Sequence, residues 1–170
     1  MTHRALSTLT ASVAALLLAA PVLFAQSPRG MAEGTVGDAR ITIDYGRPSL
    51  QGRDMLGQVT DGMVWRLGAD AATVLTTSHD LDFGGTTIEA GSYSLFAKKS
   101  GDSWALLVNS QTGQWGTEHD ASMDIAAIPL MLHGGSPQEQ FTISIAGRGG
   151  QGMIHFEWGE SILMATFQTN

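Results

Sequence analysis

The sequence predicts an all-β fold: a single antiparallel β-sandwich of jelly-roll type, with a small β-barrel as the alternative. Three observations carry this. From Ala39 onward apolar residues recur at every second position, not at the 3.6-residue spacing of a helix. The chain holds 21 glycines, roughly twice the usual share once an N-terminal leader is set aside, which implies many tight turns. Turn-forming residues also punctuate the apolar runs at short intervals.

Taken in order, Ile41, Ile43 and Tyr45 alternate with Thr42 and Asp44, as a half-buried strand requires, and Gly46-Arg47-Pro48-Ser49 stops it. Ala72–Thr77 is rich in β-branched residues, and Asp80–Phe83 is a short strand before Gly84-Gly85. Thr86-Thr87-Ile88 resumes. Ser92–Ala97 alternates again, and Ser100-Gly101-Asp102-Ser103 turns the chain into Trp104–Asn109. Ile125–Leu132 is a further strand in which Pro129 marks an edge or a bulge. Phe141–Ile145 and Ile154–Trp158 flank the turn Gly147–Gly150, and Ser161–Phe167 completes the set. Only Arg53–Thr60 tolerates a helix.

The first 25 residues read as a secretory signal peptide. Arg4 supplies a positive start, Ala5–Ala20 an apolar run, and Ala25 a small residue before the polar Gln26-Ser27. The alternative is an uncleaved anchor, but the run is short for a span and Thr8, Thr10, Ser12 and Pro21 interrupt it. Cleavage after Ala25 is expected, leaving no stable membrane span. No cysteine exists to carry a lipid, so the expected location is periplasmic or secreted. The 170 residues less 25 leave 145, expected to comprise a flexible N-terminal segment at 26–38 and one all-β domain at 39–170. A core of that size needs no disulfide staples.

Composition excludes several classes. The net charge of −7 argues against nucleic-acid binding. The absence of cysteine removes thiolate chemistry and cysteine-ligated metals. His79, His119, His133 and His155 show none of the short spacings that build zinc or copper sites, so neither metal nor cofactor is expected. There is no Gly-x-Ser-x-Gly elbow. Contiguous Ser78-His79-Asp80 cannot converge as a triad, because neighbouring side chains on a strand alternate between faces.

Tyr45-Gly46-Arg47-Pro48, Gly52-Arg53 and Val64–Thr73 resemble the opening signatures of the DUF2911 family, exported bacterial proteins of unknown function. Ala90–Phe96 and Asn109–Glu118 are similar to its later signatures. The resemblance implies an exported all-β domain and brings no established reaction. His79 and His119 stand where the family pattern commonly has other residues, so a mechanism resting on them would belong to this protein and not to the family.

The densest candidate chemistry is Tyr45, Arg47, Arg53, Trp65 and Arg66. A guanidinium fork matches a carboxylate or phosphate, and Trp65 and Tyr45 offer flat faces to a sugar ring or an aromatic ligand. The structural alternative is that the arginines clamp loops through backbone carbonyls or nearby aspartates. Trp115, set between Gln114 and Gly116, is a second candidate, with Asn109 and Gln114 offering amide contacts; alternatively it caps the sandwich. Three functions follow. The foremost is a non-catalytic binding module for a small anionic or carbohydrate-like ligand. The others are a hydrolase or isomerase acting on sugars or the cell envelope, which a perturbed acid or histidine converging on the same cleft would favour, and a structural protein-interaction domain.

Overall fold

A computed structural model describes residues 26–169; the expected signal peptide lies outside the described residues. The strands are β1 (Arg29–Val36), β2 (Ala39–Gly46), β3 (Val64–Trp65), β4 (Thr73–Thr77), β5 (Leu81–Asp82) and β6 (Thr87–Ile88). They are followed by β7 (Gly91–Ser100), β8 (Ser103–Asn109), β9 (Asp124–Arg148) and β10 (Gln151–Thr169). All pair antiparallel in the order β1-β2-β4-β7-β8-β9-β10-β5-β6, with β3 beside β7. The sheet is not closed into a barrel, and the architecture is that of a β-sandwich.

The long strand β9 joins the two parts of the sheet. Asp124–Leu130 pair with β8, whereas Met131–Arg148 pair with β10. Both parts bury their apolar faces in one core, where Ile41, Leu75 and Leu106 meet Phe141, Ile154 and Phe167. The alternation in β2 places Ile41, Ile43 and Tyr45 inward, as its period of two requires. β9 and β10 are joined by Gly149-Gly150, both at positive φ (59° and 82°), the pairing that a two-residue primed turn demands.

One expectation is corrected. Most of the segment assigned to a flexible N-terminus is β1, fully paired with β2 from Arg29↔Gly46 to Val36↔Ala39. Its own residues have little strand propensity; the neighbouring β2 supplies the ladder. Arg53–Thr60 forms turns and no helix. The Asp54 carboxylate accepts the Gly57 amide at 2.9 Å, which favours a local turn over helical hydrogen bonding.

The second side of β7 and β8 also matters. Phe96 and Leu107 point away from the main core and form a small cluster with Ala72, partly covered by Val64. The segments that cover this cluster build the candidate site.

Candidate functional site

The site begins where β3 ends. Leu67 and Asp70 adopt positive φ (45° and 63°) within four residues. Each such conformation costs an L-residue about 1–2 kcal/mol, so the surroundings must hold it. They do. The Thr73 hydroxyl donates to the Leu67 carbonyl at 2.6 Å, and Leu67 is fully buried. Gly46 lets the loop lie directly against β2, since a Cβ there would overlap the Ala69 carbonyl oxygen. On the other side the Gly116 and Ala72 amides donate to the Asp70 and Gln114 carbonyls at 2.8 and 3.1 Å.

This stitched loop forms one wall of a cleft of about 570 Å³. Trp65, Arg66 and Asp70 come from the loop, Arg53 from the turn before it, His119 from the facing segment, and Trp158 from β10. Trp65 stacks on Trp158 with centroids 5.9 Å apart and planes 11° from parallel, and both meet the edge of Phe141. The Trp158 Nε1–H is buried with no acceptor among the described residues.

The charged groups of the cleft divide into engaged and unengaged. Arg53 donates from Nε to the Leu50 carbonyl (3.0 Å) and from a terminal nitrogen to the Ser49 carbonyl (3.1 Å). Asp70 Oδ2 accepts the Ser27 amide at 2.7 Å. His119 places Nε2 at 2.9 and 3.0 Å from the two Asp124 oxygens, and its ring lies 4.7 Å from that of Phe96. Beside it, the Asp120 carboxyl is held below its ordinary value by the Ser122 hydroxyl and amide. Arg66 makes no hydrogen bond or ion pair among the described residues.

The structure therefore brings together Arg53, Trp65 and Arg66 from the sequence-derived set. The other five sit elsewhere, Gln114 among them: it is buried, accepting the Ser94 hydroxyl and donating to the Gln111 carbonyl. Tyr45 is a core residue whose hydroxyl accepts the Ile143 amide at 3.0 Å. Arg47 lies over Gly30, and its carbonyl accepts the Gln140 side chain. Asn109 is fully buried, donating to the Asp120 carbonyl and an Asp124 oxygen while accepting the Gln111 amide. Trp115 is 41% exposed and does not line the cleft with Trp65. Its backbone bridges to Ala71, a stitching role.

Asp70, His119 and Trp158 also line the cleft and lie outside that set: Asp70 belongs to the Val64–Thr73 motif, whereas His119 and Trp158 come from segments distant in sequence. Ser78-His79-Asp80 does not converge, for Asp80 turns to the Ala90 amide at 2.8 Å. No group of three or more potential metal ligands occurs among the described residues. A second cleft, of about 560 Å³, lies beside the β9–β10 hairpin, and Asp82, Arg148, Gln151, Met153, Phe167 and Gln168 are among its lining residues.

Neither curated proteins nor solved structures give a match to this sequence. The family described as "Protein of unknown function (DUF2911)" matches residues 27–167, nearly the whole described chain. On that match the chain belongs to the DUF2911 family.

Proposed function

We propose that this domain is an exported binding module that holds a small anionic ligand, with a carbohydrate-like or other flat apolar portion, in the Trp65–Arg66 cleft. The observation that carries the reading is the state of Arg66. Arg66 lines a concave site together with Trp65, and it makes no hydrogen bond or ion pair to a carboxylate or carbonyl among the described residues. An arginine that clamps its own chain looks different, as Arg53 does nearby. A free guanidinium fork suits a carboxylate or phosphate, and the paired indoles give a rigid apolar wall. Export rests on the charged start, apolar run and small residue of the leader.

The test is a thermal-shift screen of the protein lacking residues 1–25 against sugar acids, phosphorylated sugars and cell-wall fragments, with Arg66→Ala and Trp65→Ala alongside. A ligand at 100 times its dissociation constant adds about 2.7 kcal/mol to stability, which is several degrees for a domain of this size. The expected result is a shift in the parent protein that Arg66→Ala abolishes while remaining folded. Shifts that Arg66→Ala leaves intact, or none from any compound class, overturn the reading.

A further inference from the structure

His119 has two nitrogens with different surroundings. Nε2 faces both oxygens of Asp124 at 2.9 and 3.0 Å. An ionised carboxylate only accepts, so Nε2 must carry a proton whatever the charge of the ring. In the neutral imidazole that leaves Nδ1 as a bare lone pair. Nδ1 has no partner among the described residues, yet it is not among the enclosed unpartnered atoms. The ring lines the same cleft as Arg66 and Asp70. Adding one proton therefore turns this part of the cleft wall from an acceptor that repels an anion into a cationic donor that binds one. Asp124 stays beside the ring and balances the new charge, so protonation strands no uncompensated cation.

Resting on the binding reading above, we propose that His119 is a further anion-binding residue of the cleft, acting only as the imidazolium, and that the ligand is a small hydroxylated acid of the sugar-acid class. Arg66 and His119 take the anionic group. Asp70 supplies an acceptor for a hydroxyl, because only its Oδ2 is engaged, by Ser27. Trp65 carries the ring.

Asp120 bonds to Ser122 and lies close enough to His119 for the two charges to interact, and Glu118 accepts the Trp115 amide at 3.2 Å. From the facing segments come Arg66, Arg53 and Asp70; the β7 residue against the ring is Phe96, which does not titrate. Among side-chain types, imidazole is the one suited to change charge across the neutral range.

The probe is D-glucuronate, whose carboxylate stays ionised throughout that range. Binding is followed by tryptophan fluorescence at about pH 5.5 and about pH 7.5, which bracket an ordinary imidazole. Affinity is expected to be about tenfold tighter at the lower pH, the scale of one charge-assisted hydrogen bond. His119→Gln keeps a donor for Asp124 and does not titrate, so it should bind equally at both pH values, with its fold checked by circular dichroism. The reciprocal measurement needs no variant: saturating D-glucuronate should raise the NMR titration midpoint of His119 by about one pH unit. Equal affinity at both pH values, lost in Arg66→Ala, overturns the role of His119 and leaves the binding reading standing. A pH dependence that survives in His119→Gln does the same. No D-glucuronate binding at either pH removes the sugar-acid assignment and the role of His119 together. The screen of other anions then decides separately whether the binding reading stands.

Discussion

The Tyr45 hydroxyl accepts the backbone N–H of Ile143 at 3.0 Å, joining β2 to β9 across 98 positions of sequence. Both groups are buried, so Tyr45→Phe leaves a donor without water or partner. The expected cost is about 1–3 kcal/mol, read from urea denaturation, with no change in ligand affinity.

The two cleft arginines should separate by experiment. Arg53→Ala removes two hydrogen bonds to loop carbonyls and is expected to cost about 0.5–1.5 kcal/mol. Arg66→Ala removes no such bond and should stay within about 0.5 kcal/mol of the parent. A larger loss at Arg66 than at Arg53 in thermal unfolding would contradict this assignment.

Gly46 and Gly84 test two different reasons for glycine. A side chain at Gly46 overlaps the Ala69 carbonyl, so Gly46→Ala must push away the loop that carries the cleft, at a cost of about 3 kcal/mol or more. A side chain at Gly84 meets open space but sits at φ 71°, so Gly84→Ala should cost about 1–2 kcal/mol. Only the first should also abolish binding at the cleft.

Asp120 gives a pH prediction whose sign is fixed by its partners. Its carboxyl is held below the ordinary 3.8 by the Ser122 hydroxyl and amide, so the ionised form supports the fold. That support is complete above the ordinary value and is lost as pH falls through the lowered one. Ser122→Ala should move the carboxyl titration, followed by carbon NMR, back towards the ordinary value.

Strand periodicity was legible because it is a local property: Ile41, Ile43 and Tyr45 announce a buried face without reference to any partner. β1 was not, because Arg29-Gly30-Met31-Ala32 has little propensity of its own and pairs only because β2 lies beside it. The same division runs through the cleft. Arg53, Trp65 and Arg66 are close in sequence and were found. Trp158 arrives from β10 and His119 from the far side of the Phe96 cluster, so their convergence depends on topology. Whether an arginine is a clamp or is unengaged depends on which carbonyls lie within reach, and composition does not encode that. Asn109 shows the reverse error, since its amide is consumed by Asp120, Asp124 and Gln111.

The exchange of partners along β9 has a consequence for the order of assembly. Neither part of the sheet can be completed without this strand, and β9 together with β10 occupies the C-terminal end of the described chain. Strands β1 to β8 contain no subset that closes the core alone, because Phe141, Ile154 and Phe167 are still to come. A nascent chain halted before β9 would expose the apolar faces of β2, β4 and β8 to whatever surrounds it. Folding of the domain is therefore dominated by non-local pairing that awaits β9 and β10, the regime in which folding is slow.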